Sequence, residues 1–231
     1  MTLALPPVLL AIAAMALYAL ATRRVRVAPL RTAAFIAGAG SAGCLIAWDP
    51  ASLASHMVQH GLLATVSAPL LVLGRPVTLA LQLAPAGRRQ QFYEAAARLR
   101  GLLDPWVLLG IFVAVQWLVH WPAALAAAES HALVHLGLHL LLMAAAIAFF
   151  LPVFGKQPVP RRLSRGRAAL HLAVAMPLVD LISVPYVATG RGTAAAAMLA
   201  AMAPLGAAAL VVAWQALLEE DRAMVRSEAA S

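Results

Sequence analysis

Seven histidines carry the chemistry that is legible in this chain, and six of them fall in three short patterns. His56 and His60 lie in HMVQH, His120 in HWP, and His131, His135 and His139 in SHALVHLGLH. A helix repeats every 3.6 residues, so side chains at i, i+4 and i+8 stack on one face. HMVQH therefore turns two imidazoles to one side, and residues 131–139 predict a ladder of three running about 12 Å along a helix. An imidazole in hydrocarbon leaves an N–H and a lone pair in need of partners, so such stripes point to a metal, a cofactor or a polar seam between helices. Imidazole nitrogen suits copper, zinc, iron or nickel, and a thioether such as Met57 would favour reduced copper. Met57 does not share the face of His56 and His60, which makes it an accessory candidate only. Met57, Val58 and Gln59 separate the histidines of HMVQH and none is a glutamate, so the general base of an HExxH zinc protease is missing. A lone membrane histidine more often bonds across helices than binds metal, and His120 or His171 taken singly would be read that way. Six histidines at one membrane face, five of them in i, i+4 register, favour a shared site.

The elements that must position them are apolar spans. The chain has 231 residues, 63% of them hydrophobic and 11% charged, with a mean hydropathy of +0.87. That composition excludes a soluble globular domain and defines an all-α polytopic membrane protein. Runs able to cross a bilayer of about 30 Å occur near 3 to 22, 32 to 48, 56 to 73, 104 to 121, 131 to 152, 168 to 188 and 194 to 217, which predicts seven transmembrane helices. Residues 76–103 mix apolar positions with Arg88, Arg89, Glu94, Arg98 and Arg100, as expected of an interfacial segment. The transmembrane domain is expected over 1–218, and residues 219–231 form a polar, frayed tail. The first span carries its arginines after the apolar run, the reverse of a cleaved signal peptide, and reads as retained.

A net charge of +8 could suggest nucleic acid, but the basic residues sit in short connections. Four lie between spans one and two, five between three and four, five between five and six, and two in the tail; only Arg191 falls on the other side. Lys and Arg concentrate in cytoplasmic loops, so the N-terminus is expected outside and the C-terminus in the cytoplasm, with no nucleic-acid partner. His56, His60, His120, His131, His135 and His139 then all lie toward the outer face, and only His171 lies toward the inner one. Asp180 is the one acid deep in a span, either a second accessory candidate or a neutral acid facing Ser183 or Tyr186. Cys44 is the single cysteine and reads as packing. Trp106, Trp117 and Trp121 read as interfacial anchors.

The stretches HMVQHGLLATVSAPLLVLGRP, HWP at 120 to 122 and SHALVHLGLHLLLMAAAIAFFLPVFG resemble the multi-spanning CtaG family of cytochrome c oxidase assembly proteins. The likeness covers residues 56 to 155 well and the flanks weakly. The family's HMxQH pattern falls on His56, Met57, Gln59 and His60, and its APLLxLGxP segment on Ala68, Pro69, Leu70, Leu71, Leu73, Gly74 and Pro76. Its HxP falls on His120 and Pro122, and its HxxxHxxEH pattern on His131, His135 and His139, with Leu138 where the family has glutamate. Phe150 and Leu151 stand in place of its tryptophans, and its DQ pair before the last span is missing. The resemblance implies maturation of a haem–copper oxidase in the bacterial inner membrane, with copper as the metal handled and oxidase subunits or copper chaperones as partners. No nucleophile, base pair or nucleotide loop is visible, so the protein is not expected to be an enzyme. Two other readings stay open: a haem b cytochrome ligated by one histidine from span three and one from span five, and a metal-free structural partner of the oxidase. The expected geometry brings His60, His135 and His139 within ligand reach, with His56 and His120 as an outer shell and His131 the most exposed.

Overall fold

The computed structural model describes residues 5–154 and 161–228. Lys156 in the fifth connection, the first residues of span one and the last of the polar tail lie outside them. The described residues are helical and contain no strand. Helices α1 (Leu5–Thr22) and α2 (Pro29–Ala47) pack together, and α3 (Leu53–Leu62) begins the histidine-bearing span. A π-helical turn, Leu63–Ser67, joins α3 to α4 (Ala68–Gly74); α5 (Pro76–Leu83) and α6 (Ala86–Arg98) follow. Then come α7 (Pro105–Val119), α8 (Pro122–Ser130), α9 (Ala132–Phe154), α10 (Arg165–Asp180), α11 (Ser183–Ala188) and α12 (Gly192–Glu228). Six spans are long and apolar enough to cross a membrane, and α7 with α8, bent by 62°, makes a seventh if taken as one broken span. Leu10, Leu30, Leu133 and Leu210 are each more than two-thirds exposed, as lipid-facing side chains are.

Local chemistry explains the breaks that shape the bundle. Ser52 caps α3, accepting from the Ser55 N–H while the Ser55 hydroxyl accepts from the Ser52 N–H, a reciprocal box that starts the helix at Leu53, three residues before His56. Pro69 has no N–H, and its ring would strike the carbonyl four residues back in a straight α-helix. The π turn relieves this, with the Ala68 N–H reaching the Leu63 carbonyl. Trp121 precedes a proline and is extended (ψ 136°), so the chain leaves α7 and restarts with Pro122 at the first turn of α8. The segment 122–130, which lies between two of the expected spans, is therefore a helix that buries Leu125 and Ala128. The tail read as frayed continues α12 to Glu228.

In a bilayer, helices associate through close packing of small residues and through hydrogen bonds rather than through hydrophobic burial. Gly61 of α3 lies against Ala201 of α12 so closely that a Cβ there would overlap the alanine methyl. The Thr65 hydroxyl, in the π turn, bonds to the Ala201 carbonyl at 3.0 Å and to the Gly61 carbonyl at 2.8 Å. Ala194, Ala195, Met198, Ala201, Met202 and Leu205 form the buried stripe of α12 that meets α3 and α10. At the other end of the bundle, Asp104 caps α7 through the Trp106 N–H (3.0 Å) and pairs with Arg161 (2.9 Å). The Tyr18 hydroxyl donates to the Gly74 carbonyl at 2.6 Å, where Arg75 takes the left-handed conformation (φ 56°) that ends α4. Helix α6 buries no residue and stands off the bundle.

Candidate metal centre

Helices α3 and α9 present their histidines to each other. His56 and His60 occupy successive turns of α3 with ring centroids 4.4 Å apart, and His135 and His139 do the same on α9, also at 4.4 Å. Across the interface, His56 Nε2 lies 3.3 Å from His135 Nε2. The His139 ring is 5.9 Å from that of His56 and 4.9 Å from that of His60, so it borders every other ring on these two helices. One ligand nitrogen each from His56, His135 and His139 can be chosen so that all lie within 4.8 Å of one another. A metal bonded to imidazole at roughly 2.0 to 2.1 Å needs only a modest closure of such a triangle.

The triad lies at one wall of a cavity of about 660 Å³, whose lining also includes Trp48, Asp49 and Glu129. His135 is half-buried, while His56 and His139 are buried, so the site is open on one side and dry on the other. All three donors are neutral imidazoles and the two carboxylates belong to the lining, not to the triad. Three imidazole nitrogens with an open side suit zinc, copper, iron or nickel alike.

The structure rearranges the set expected from the sequence. His60 does not join the closest triad; it pairs with His120, His60 Nδ1 lying 3.3 Å from His120 Nε2. His120, expected in an outer shell, is 4% exposed, because the bend at Trp121 ends α7 with its last side chain folded against α3. His56, expected in that shell too, is part of the triad. His131 is not on the ladder at all: it is the extended residue between α8 and α9 (φ −137°), exposed, with its Nδ1 2.8 Å from the Ser130 hydroxyl. Met57 is fully buried in the apolar core. Asp180 Oδ1 is buried without a hydrogen-bond partner, and the hydroxyls of both expected partners go to backbone carbonyls instead, Ser183 to that of Asp180 (2.7 Å) and Tyr186 to that of His120 (2.6 Å). His171 is far from the cluster, stacked on Phe149 at 4.6 Å, with its Nε2 donating to the Phe149 carbonyl.

Three supporting residues have roles that reading by motif did not assign. Gln59, placed by the resemblance in the HMxQH pattern but given no role there, is fully buried and donates to the Leu45 and Trp48 carbonyls at 2.5 and 2.9 Å, tying α3 to the end of α2. Gln116 offers its backbone carbonyl to His120 Nδ1 at 2.7 Å. Tyr186 holds the His120 carbonyl from α11. The Gln59 and Tyr186 contacts depend on what another element brings, which periodicity in one helix does not reveal.

Fold and centre together define a polytopic helical membrane protein with a cluster of buried imidazoles at one end of the bundle. The chain belongs to the cytochrome c oxidase caa3 assembly factor family, whose family model matches residues 16–222 and so extends the likeness seen at the histidine motifs across both flanks. Searches of curated proteins and of solved structures found no match.

Proposed function

We propose that this assembly factor holds a copper ion on His56, His135 and His139 at the extracytoplasmic side of the bacterial inner membrane and makes it available to a maturing oxidase. The observation that carries the reading is the convergence of three neutral imidazole nitrogens within 4.8 Å beside a cavity that opens the bundle. Asp49 and Glu129 give that cavity an acidic lining, which attracts a cation on its way to the imidazoles. The partner is an oxidase subunit or a copper chaperone that reaches the cavity, and the protein acts by binding and release rather than by catalysis. The haem reading fits less well. A macrocycle ligated axially by α3 and α9 would have to lie between His56 and His135, and these two rings are already at hydrogen-bonding distance.

Deleting the protein should lower both the activity and the copper content of the membrane oxidase, with partial recovery when copper is supplied in the medium. An oxidase of full copper content in the deletion strain would remove the proposal. Orientation is tested separately. The basic connections predict that a reporter fused after Ser231 is active in the cytoplasm and that one fused after Ser130 is active outside it. The opposite pattern would place the histidine cluster on the cytoplasmic side and rule out delivery to an extracytoplasmic acceptor.

A further inference from the structure

His60 and His120 form a hydrogen-bonded pair beside the triad, and its protons can be assigned. A backbone carbonyl only accepts, so at 2.7 Å from the Gln116 oxygen His120 Nδ1 must carry the proton. The neutral ring then has its lone pair on Nε2, which lies 3.3 Å from His60 Nδ1. His60 Nδ1 must donate, and the His60 lone pair is left on Nε2, on the far side of the ring from His120. The reverse assignment would set a bare Nδ1 of His120 against a carbonyl oxygen at 2.7 Å, lone pair against lone pair. An imidazolium at His120 would put a charge on a ring 4% exposed whose two nitrogens meet a carbonyl and another imidazole, with no carboxylate at either. His60 Nε2 is buried and has no hydrogen-bond partner, and so is His139 Nε2, on a ring centred 4.9 Å away.

Resting on the copper reading above, we propose that His120 is a positioning residue that fixes the His60 tautomer, so that His60 Nε2 and His139 form an inner pair of donors for the cation beside the open triad of His56, His135 and His139. His120 itself is not a ligand, since both its nitrogens are engaged. The relay runs from the Gln116 carbonyl through His120 to His60, and Tyr186 steadies it by holding the His120 carbonyl at 2.6 Å. Such partners orient a ligand and set which nitrogen is free, and their loss typically weakens metal binding about 10- to 100-fold. The arrangement lets one ion be held by the triad at the cavity or drawn toward His60, with His139 common to both positions.

The test uses full-length protein purified without a polyhistidine tag and titrated with cuprous ion against a competing chelator. Glutamine places a carbonyl oxygen near where histidine has Nε2, so His120→Gln can still accept from His60, whereas His120→Ala cannot. Expected results are a loss of affinity of about tenfold or more for His120→Ala, affinity close to wild type for His120→Gln, and the same number of imidazole ligands in both His120→Gln and wild type by X-ray absorption. If His120→Gln loses as much as His120→Ala and shows one imidazole fewer, His120 is a ligand and the proposal is wrong; wild-type affinity in both variants overturns it as well. Nitrogen NMR of the metal-free wild type gives a readout that needs neither a folded variant nor bound copper: His60 should be protonated at Nδ1, and protonation at Nε2 would refute the relay. Wild-type protein that takes up no cuprous ion while His60 shows the Nδ1 tautomer would remove the copper reading and, with it, the inner donor pair, leaving the relay alone standing.

Discussion

Replacing His139 with alanine is expected to weaken cuprous-ion binding by more than about 100-fold, beyond the range typical of losing a second-shell partner, while leaving the fold nearly as stable as before. His139 has the neighbours to make it central: His135 at 4.4 Å, His60 at 4.9 Å and His56 at 5.9 Å between ring centroids. Removing a buried ring of this size would ordinarily cost about 2 to 3 kcal/mol through the cavity left behind. Here it also removes a buried nitrogen that has no partner, and leaving such a group unsatisfied costs roughly 1 to 3 kcal/mol. The two terms have opposite sign and similar size, so binding and stability should separate. His171→Ala gives the contrast. It too removes a buried nitrogen without a partner, Nδ1, but it also breaks the 4.6 Å stack on Phe149 and the Nε2 bond to the Phe149 carbonyl, so it should destabilise the bundle by roughly 1 to 2 kcal/mol, yet copper retention should be unchanged. Thermal unfolding and copper titration of both variants decide the matter, and a His139→Ala protein that keeps wild-type affinity would show that the triad is not the site.

Gly61→Ala, which gives the shortest contact of any added methyl among the described glycines, is expected to lower stability by about 3 kcal/mol and copper affinity with it. The new Cβ would overlap the methyl of Ala201, and the backbone of α12 stands just behind at 3.3 Å. Relief requires α3 to move away from α12, which stretches the Thr65 bond to the Ala201 carbonyl and carries His60, the preceding residue, with it. Without a hydrophobic force between helices in lipid, close approach and these hydrogen bonds are what hold the pair. The clash is chiefly methyl against methyl, so Ala201→Gly in the same protein should recover most of both losses. A double variant no better than Gly61→Ala would mean that the damage arises elsewhere, and an undisturbed Gly61→Ala would mean that the α3–α12 contact does not position the cluster.

Much of this protein is written locally. Long apolar runs broken by arginines and prolines define helical spans without reference to any neighbour, because a backbone in hydrocarbon must satisfy its own hydrogen bonds. The i, i+4 spacing put His56 with His60 and His135 with His139 on common faces, and the same arithmetic holds in the folded chain. That reach ends at the helix boundary. Whether His131 extends the ladder depended on where α8 stops and α9 starts, and its extended backbone takes it off the face. The fate of His120 depended on a bend at Trp121 and Pro122 that folds the end of α7 against α3. The choice of His56 over His60 for the closest triad, the cavity beside it, and the partners that Gln59 and Tyr186 find on other elements were set by helix separations of a few ångströms. Those separations follow from contacts such as Gly61 with Ala201, which pair residues far apart in sequence. Hydropathy and period describe a helix one at a time, so they determined which side chains could meet; only the packing of helix on helix decided which of them do.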